Sequence, residues 1–194
     1  MASLVILVVT LLVSIIGLSS PPFLVRSLLF PYRVAHGSGY SGLITSGFVH
    51  GGVAHMLFNL ITYFSFAFTL ERVIGSARFV LLYFAALIVG GLGTVYKHRN
   101  NPEYASLGAS GAVLGVLFAS LLYFPGRSIS FLIVPIPIPA PLFAVGYLAY
   151  SVYASRTPTG KINHDAHLFG ALTGLVFVLV TDPTTLASAL SSWI

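Results

Sequence analysis

The chain has 194 residues, 57% of them hydrophobic and 7% charged, with nine Lys and Arg against four Asp and Glu and a formal charge of +5. Soluble domains carry roughly 25% charged residues, so this composition, at a mean hydropathy of +0.96, excludes a water-soluble globular domain and describes an integral membrane protein. The absence of cysteine excludes disulfides, thiolate metal sites and cysteine nucleophiles, and cations scattered singly between apolar runs read as interface anchors, not as a nucleic-acid surface.

With roughly 20 apolar residues needed per crossing, the chain reads as a single polytopic membrane domain over residues 1–194, all-α, with six spans. The first covers about Ala2 to Leu18; it lacks a basic flank and a small-x-small cleavage site, so it reads as a retained span and not as a signal peptide. "SSPP" closes it. A long first loop follows, too broken by Pro and Gly to cross, and its "LVRSLLF" patch is expected to lie on the bilayer surface. The second span covers about Phe48 to Leu70 and the third Phe79 to Tyr96, closed by "KHRNNPEY"; the fourth starts near Ser110 and stops before "FPGR". Prolines at 135, 137, 139 and 141 then remove backbone donors and predict an extended apolar strap. It leads into a short fifth helix, about Pro141 to Ala154, and the sixth covers about Asp165 to Val180.

Polar side chains inside spans are costly, roughly 2.5–3.5 kcal/mol for a charge on insertion scales, and mark functional sites by default. The second span opens with His50, His55 and Asn59, the fourth with Ser110, the sixth with His164, Asp165 and His167. His55 and Asn59 share a helix face. With alternate crossing, spans two, four and six run the same way, so all these groups lie at one depth on one side. Gly111 with Gly115, and Gly170 with Gly174, form two G-x-x-x-G faces that let helix backbones approach closely. Packing the two faces would bring Ser110 and His167 together.

Taken singly, Ser110 is a helix-packing serine and His55 or Asn59 an interhelical hydrogen-bonding residue. Taken together they hold a hydroxyl, an imidazole base and oxyanion donors, the minimum for nucleophilic catalysis. His55, Asn59 and the Ser110 amide are the expected donors. Asp165 is roughly 200° around the helix from His167 and is not assigned to the base, so a dyad is expected. His36 and His98 read as solvated loop residues. Glu71 and Arg72 read as the interfacial end of the second helix, with Glu71 also able to tie down a loop.

Three blocks, "HGGVAHMLFN", "GASG" and "AHLFGALTG", together resemble the rhomboid family of intramembrane serine proteases. The resemblance spans about residues 1–182, leaving a short C-terminal tail at 183–194. It implies a six-helix bundle with a long first loop and a Ser110–His167 dyad. It also implies His55 and Asn59 at the oxyanion, a supporting His50, and Gly108 in the loop before the nucleophile. No metal or cofactor is implied. Substrates would be membrane-anchored proteins cut in or near their transmembrane segments within the lipid bilayer, with the first loop and fifth helix controlling access. Two positions depart from the family pattern. Leu114 stands where many relatives carry an aromatic stacked on the histidine, so imidazole orientation must come from elsewhere, and "GSGYSG" stands where relatives carry a Trp-Arg pair.

Alternate crossing puts Arg26, Arg33, Lys97, Arg99, Arg156 and Lys161 on the active-site face, with Arg72, Arg78 and Arg127 opposite. The positive-inside rule turns the first face to the cytosol; the family resemblance turns it outward, and the outward orientation is the expectation adopted. Two rivals remain at this level. Four histidines and Asp165 at one depth fit a metal site, although no H-E-x-x-H is present. A catalytically inactive relative that binds membrane clients is the other.

Overall fold

The computed structural model describes residues 1–130, 136–156 and 162–193. Pro135, the first proline of the strap, and Lys161 lie outside the described residues. Helix α1 (Ala2–Ser19) turns large apolar side chains outward, buries Ser3, Thr10 and Ser14 against the bundle, and begins on a carboxylate. Glu71 accepts the backbone N–H of Ala2 at 2.7 Å and of Ser3 at 3.0 Å, and also the hydroxyls of Ser3 and Ser76. The first amides of a helix have no intrahelical partner, and they carry the positive end of its dipole, so an anion satisfies both needs. Glu71 is buried, 3% exposed, and holds down the start of α1. It stands in the last turn of α5, as its sequence position predicts, and its bond to Ser76 also ties down the turn at Gly75.

Ser20 leaves the helix in an extended conformation and Pro21 starts α2 (Pro21–Ser27), using the first-turn position where a missing N–H costs nothing. Two further short helices, α3 (Pro31–Ala35) and α4 (Gly42–Thr45), and a 3-10 turn at Ser46–Phe48 fill the connection to the next long helix. Phe23 and Val25 on α2 are exposed. The connection is pinned at Leu29, which exchanges two 2.9 Å backbone hydrogen bonds with Ser106.

Helix α5 (Val53–Ile74) starts five residues later than the hydropathy of its span predicts. Gly51 and Gly52 keep the chain non-helical, so His50 precedes the helix and lies outside the span. Gly75, at φ +80°, turns the chain directly into α6 (Ser76–His98). Helix α6 runs two residues beyond its expected end and includes Lys97 and His98. Helix α7 (Ser110–Tyr123) is the centre of the bundle: every residue from Gly111 to Leu122 is buried, and α5, α6 and α9 (His164–Thr181) pack around it. Its 14 residues span about 21 Å, less than the roughly 30 Å hydrocarbon core. A helix enclosed by other helices need not present a full-length apolar surface to lipid, so its first residue can start below the membrane surface.

Beyond α7, strand β1 (Ser128–Ile129) pairs antiparallel with β2 (Ile138–Pro139), Ser128 opposite Pro139. The described end of the proline run is thus extended, as its composition predicts. Helix α8 (Ala140–Arg156) continues two residues past its expected end and packs on α9. The short C-terminal tail is helical: α10 (Pro183–Trp193) folds back on α7 and α9, and Trp193 Nε1 donates to the Pro125 carbonyl at 3.2 Å. Among the described residues, α1, α5, α6 and α9 are long and apolar enough to cross a membrane, while α7 and α8 are shorter, at 14 and 17 residues.

Candidate active site

The glycine faces of α7 and α9 meet. A Cβ added at Gly170 would run into the Gly111 carbonyl, and one at Gly174 into the Gly115 carbonyl; only glycine allows this approach. The contact brings the first turns of α7 and α9 side by side, and Ser110 Oγ lies 2.7 Å from His167 Nε2. Asn163 sets the start of α9. Its Oδ1 accepts the Ala166 N–H at 3.1 Å, capping the helix, while its Nδ2 donates to Thr94 Oγ1 at 2.8 Å and Ser106 Oγ at 2.7 Å. One amide therefore ties α9 to α6 and to the loop that delivers Ser110.

That loop turns at Gly108, whose φ of +111° disfavours any other residue. A Cβ there would also stand 2.7 Å from the His55 ring, so His55 lies directly against the backbone preceding the serine. The Gly108 N–H donates to the Ser46 carbonyl at 2.9 Å, fixing the loop to the 3-10 turn. Asn59 borders Ala109 and Val113 across a small internal cavity, and its Nδ2 donates to the His55 carbonyl at 3.0 Å.

His50 is fully buried and its ring meets that of His55 edge-on, centroids 4.9 Å apart. Ser14 of α1 reaches it: Ser14 Oγ is 2.8 Å from His50 Nδ1 and donates to the Phe48 carbonyl at 2.9 Å. A hydroxyl has one proton. With that proton on Phe48, His50 must donate through Nδ1–H, which leaves Nε2 as an acceptor without a partner among the described residues.

Asp165 faces away from the Ser110–His167 contact, as its helical angle predicts. It pairs with Lys97 Nζ at 3.0 Å and His98 Nε2 at 3.3 Å. His98 is therefore not a solvated loop residue: it closes α6, bonds Asp165 and stacks on Tyr104 at 3.6 Å between centroids and 4° between planes. Burial, followed by the neighbouring Asp165 carboxylate, pushes the Tyr104 phenol up to about 12, so it stays a neutral stacking partner. A cavity of about 250 Å³ opens here, with Lys97, Tyr104, Asn163, His164 and Asp165 in its wall. Lys97 also reaches the Ser155 carbonyl on α8. Among the described residues no three His, Asp or Glu side chains are grouped to hold a metal ion: His50 is engaged by Ser14 and Asp165 by Lys97 and His98.

Tyr147 of α8 completes the surroundings of His167, its hydroxyl 3.1 Å from Nδ1. Neither Tyr147 nor Ser14 stands out in the sequence, since each is an unremarkable polar residue in a helix whose partner is set only by packing. Asn163 too is missed in the sequence, although an Asn directly before "HDAH" carries the signal of a helix cap.

Apolar helices packed around a polar centre define a multi-pass integral membrane protein. Its sequence matches the family model of the rhomboid domain over residues 37–183, and the chain belongs to the rhomboid family. It is 37% identical over 151 residues to the putative rhomboid protease YdcA of Bacillus subtilis (strain 168), covering 74% of this chain and 67% of that protein. The mitochondrial Rhomboid protein 1 of Saccharomyces cerevisiae is 29% identical over 142 residues, 70% of this chain and 40% of the relative. Rhomboid protease GluP of Bacillus subtilis is 42% identical over 81 residues, 42% of this chain and 15% of its own length.

Proposed function

We propose that the protein is an intramembrane serine endopeptidase that cleaves membrane-anchored proteins within or beside their transmembrane segments. The observation that carries this reading is the 2.7 Å contact between Ser110 Oγ and His167 Nε2 at the buried end of α7. Ser110 Oγ attacks the scissile carbonyl while His167 Nε2 takes its proton, then returns it to the leaving amine. Water, activated by the same imidazole, releases the acyl group. The oxyanion forms at the N-terminus of α7, where the Ser110 N–H has no intrahelical acceptor and the helix dipole favours negative charge. Asn59 and His55, against Ala109 and Gly108, supply the side-chain donors, and His50 supports His55.

In this reading α1, α5, α6, α7, α8 and α9 form a six-span bundle over one membrane domain, residues 20–52 form its long first loop, and the active-site face is extracytoplasmic. Labelling the purified protein in detergent with a fluorophosphonate tests it. Wild type is expected to label, Ser110→Ala and His167→Ala to stay blank. A folded wild type that neither labels nor cuts a transmembrane substrate would instead make the protein a client-binding relative, with Ser110 a packing residue.

A further inference from the structure

The proton that His167 accepts from Ser110 must arrive at Nε2, so the resting neutral imidazole has to carry its hydrogen on Nδ1. The ring can otherwise adopt the opposite tautomer or rotate away, and either removes the base. Nδ1 therefore needs an acceptor at a fixed position. Neither helix of the dyad provides one: Leu114, one turn after Ser110 on α7, is apolar, and Asp165 is committed to Lys97 and His98. The acceptor within reach is the Tyr147 hydroxyl on α8, at 3.1 Å.

The phenol is itself held firmly. Its ring stacks on Phe143 one turn earlier, centroids 5.6 Å apart, and packs against Phe118 of α7 at 5.8 Å. Ser151, one turn later on α8, is fully buried, and its hydroxyl has no hydrogen-bond partner among the described residues. The Tyr147 proton can thus point along α8 towards Ser151, leaving the phenol lone pairs to His167.

We infer that Tyr147 is the positioning residue of the dyad, accepting the His167 Nδ1 hydrogen and holding the imidazole with Nε2 towards Ser110. This rests on the Ser110–His167 reading. During attack the Ser110 proton moves to Nε2 while the Nδ1 hydrogen stays on nitrogen, bonded to Tyr147. Because this partner belongs to α8 while serine and histidine belong to α7 and α9, the base is correctly set only when α8 is docked. A substrate that enters by displacing α8 meets an unoriented histidine, and α8 must return before the serine is activated.

The test is the rate of fluorophosphonate labelling of Tyr147→Phe, which removes one oxygen and keeps the ring, beside wild type and Tyr150→Phe on the same helix. The expected result is a labelling rate constant about tenfold lower in Tyr147→Phe, equivalent to ~1.4 kcal/mol, with the concentration dependence and final extent of labelling unchanged. Tyr150→Phe should match wild type. A merely structural role would instead lower the final extent, as a fraction of molecules misfolds. Equal rates in wild type and Tyr147→Phe would overturn the positioning role and leave the dyad standing. An unlabelled wild type would overturn both.

Discussion

A serine at the first position of a helix keeps its backbone amide free of intrahelical bonding while its side chain faces whatever packs alongside. Ser110 has both properties, with its hydroxyl on His167 and its amide at the positive end of α7. Replacing it with Ala removes one oxygen from a site whose packing rests on glycine contacts, so Ser110→Ala should abolish cleavage of a transmembrane substrate and leave thermal unfolding in detergent nearly unchanged. Asn59 presents a different case. Its amide rests on the His55 carbonyl at 3.0 Å, and in the proposed reaction it would become an oxyanion donor by changing partner. Loss of one such donor typically costs about 10²–10³ in rate, so Asn59→Ala should lower kcat about 10²-fold with little change in KM. An unaltered kcat in a cleavage assay would assign Asn59 to packing alone.

Between elements, the decisive contacts are those that leave no room. Gly170 and Gly174 lie against the Gly111 and Gly115 carbonyls, and a side chain there has to push α9 away from α7. Overpacking typically costs 1–3 kcal/mol, and here the collision is with backbone, so Gly170→Val should cost at least ~3 kcal/mol and abolish labelling even though no reacting group is altered. Unfolding in an SDS titration would measure it. Asn163 works by bonding where the glycines work by shape. Asn163→Ala removes a helix cap, worth about 1 kcal/mol, and leaves Thr94 and Ser106 without their donor. The expected loss is ~2 kcal/mol, read in the same titration, with slower labelling because the first turn of α9 carries His167.

On the scale of the whole molecule, two long-range ties hold the amino-terminal helix to the bundle. Glu71 gathers the start of α1, and Ser14 near its end bonds His50. Removing the carboxylate with Glu71→Ala would strand buried donors, each worth about 1–3 kcal/mol, and should free α1 to detach. A drop of several degrees in thermal midpoint would report it. Orientation is a property of the same scale. The sequence has no cysteine, so single cysteines at Tyr96, at the dyad end of α6, and at Gly126, in the turn after α7, will report topology to an impermeant thiol reagent. Labelling of Tyr96→Cys from outside intact cells, with Gly126→Cys protected, is expected for an extracytoplasmic site. The reverse pattern would follow the excess of basic residues and place the site in the cytosol.

Much of this was legible in the residues themselves. Composition alone placed the chain in a membrane, because a shortage of charge leaves no way to cover a water-exposed surface. The Ser and His before paired glycines could be read because small-residue periodicity dictates which helix faces touch. Helix ends were legible to within a few residues, limited by Gly51 and Gly52, whose conformation no hydropathy pattern reports. What only the tertiary structure decided are contacts between residues distant in sequence and ordinary in type: Glu71 on the start of α1, Ser14 on His50, His98 on Asp165 and Tyr147 on His167. Local pattern follows from the period of one helix. These pairings follow from the rotation and depth of two helices against each other, which packing settles for the bundle as a whole.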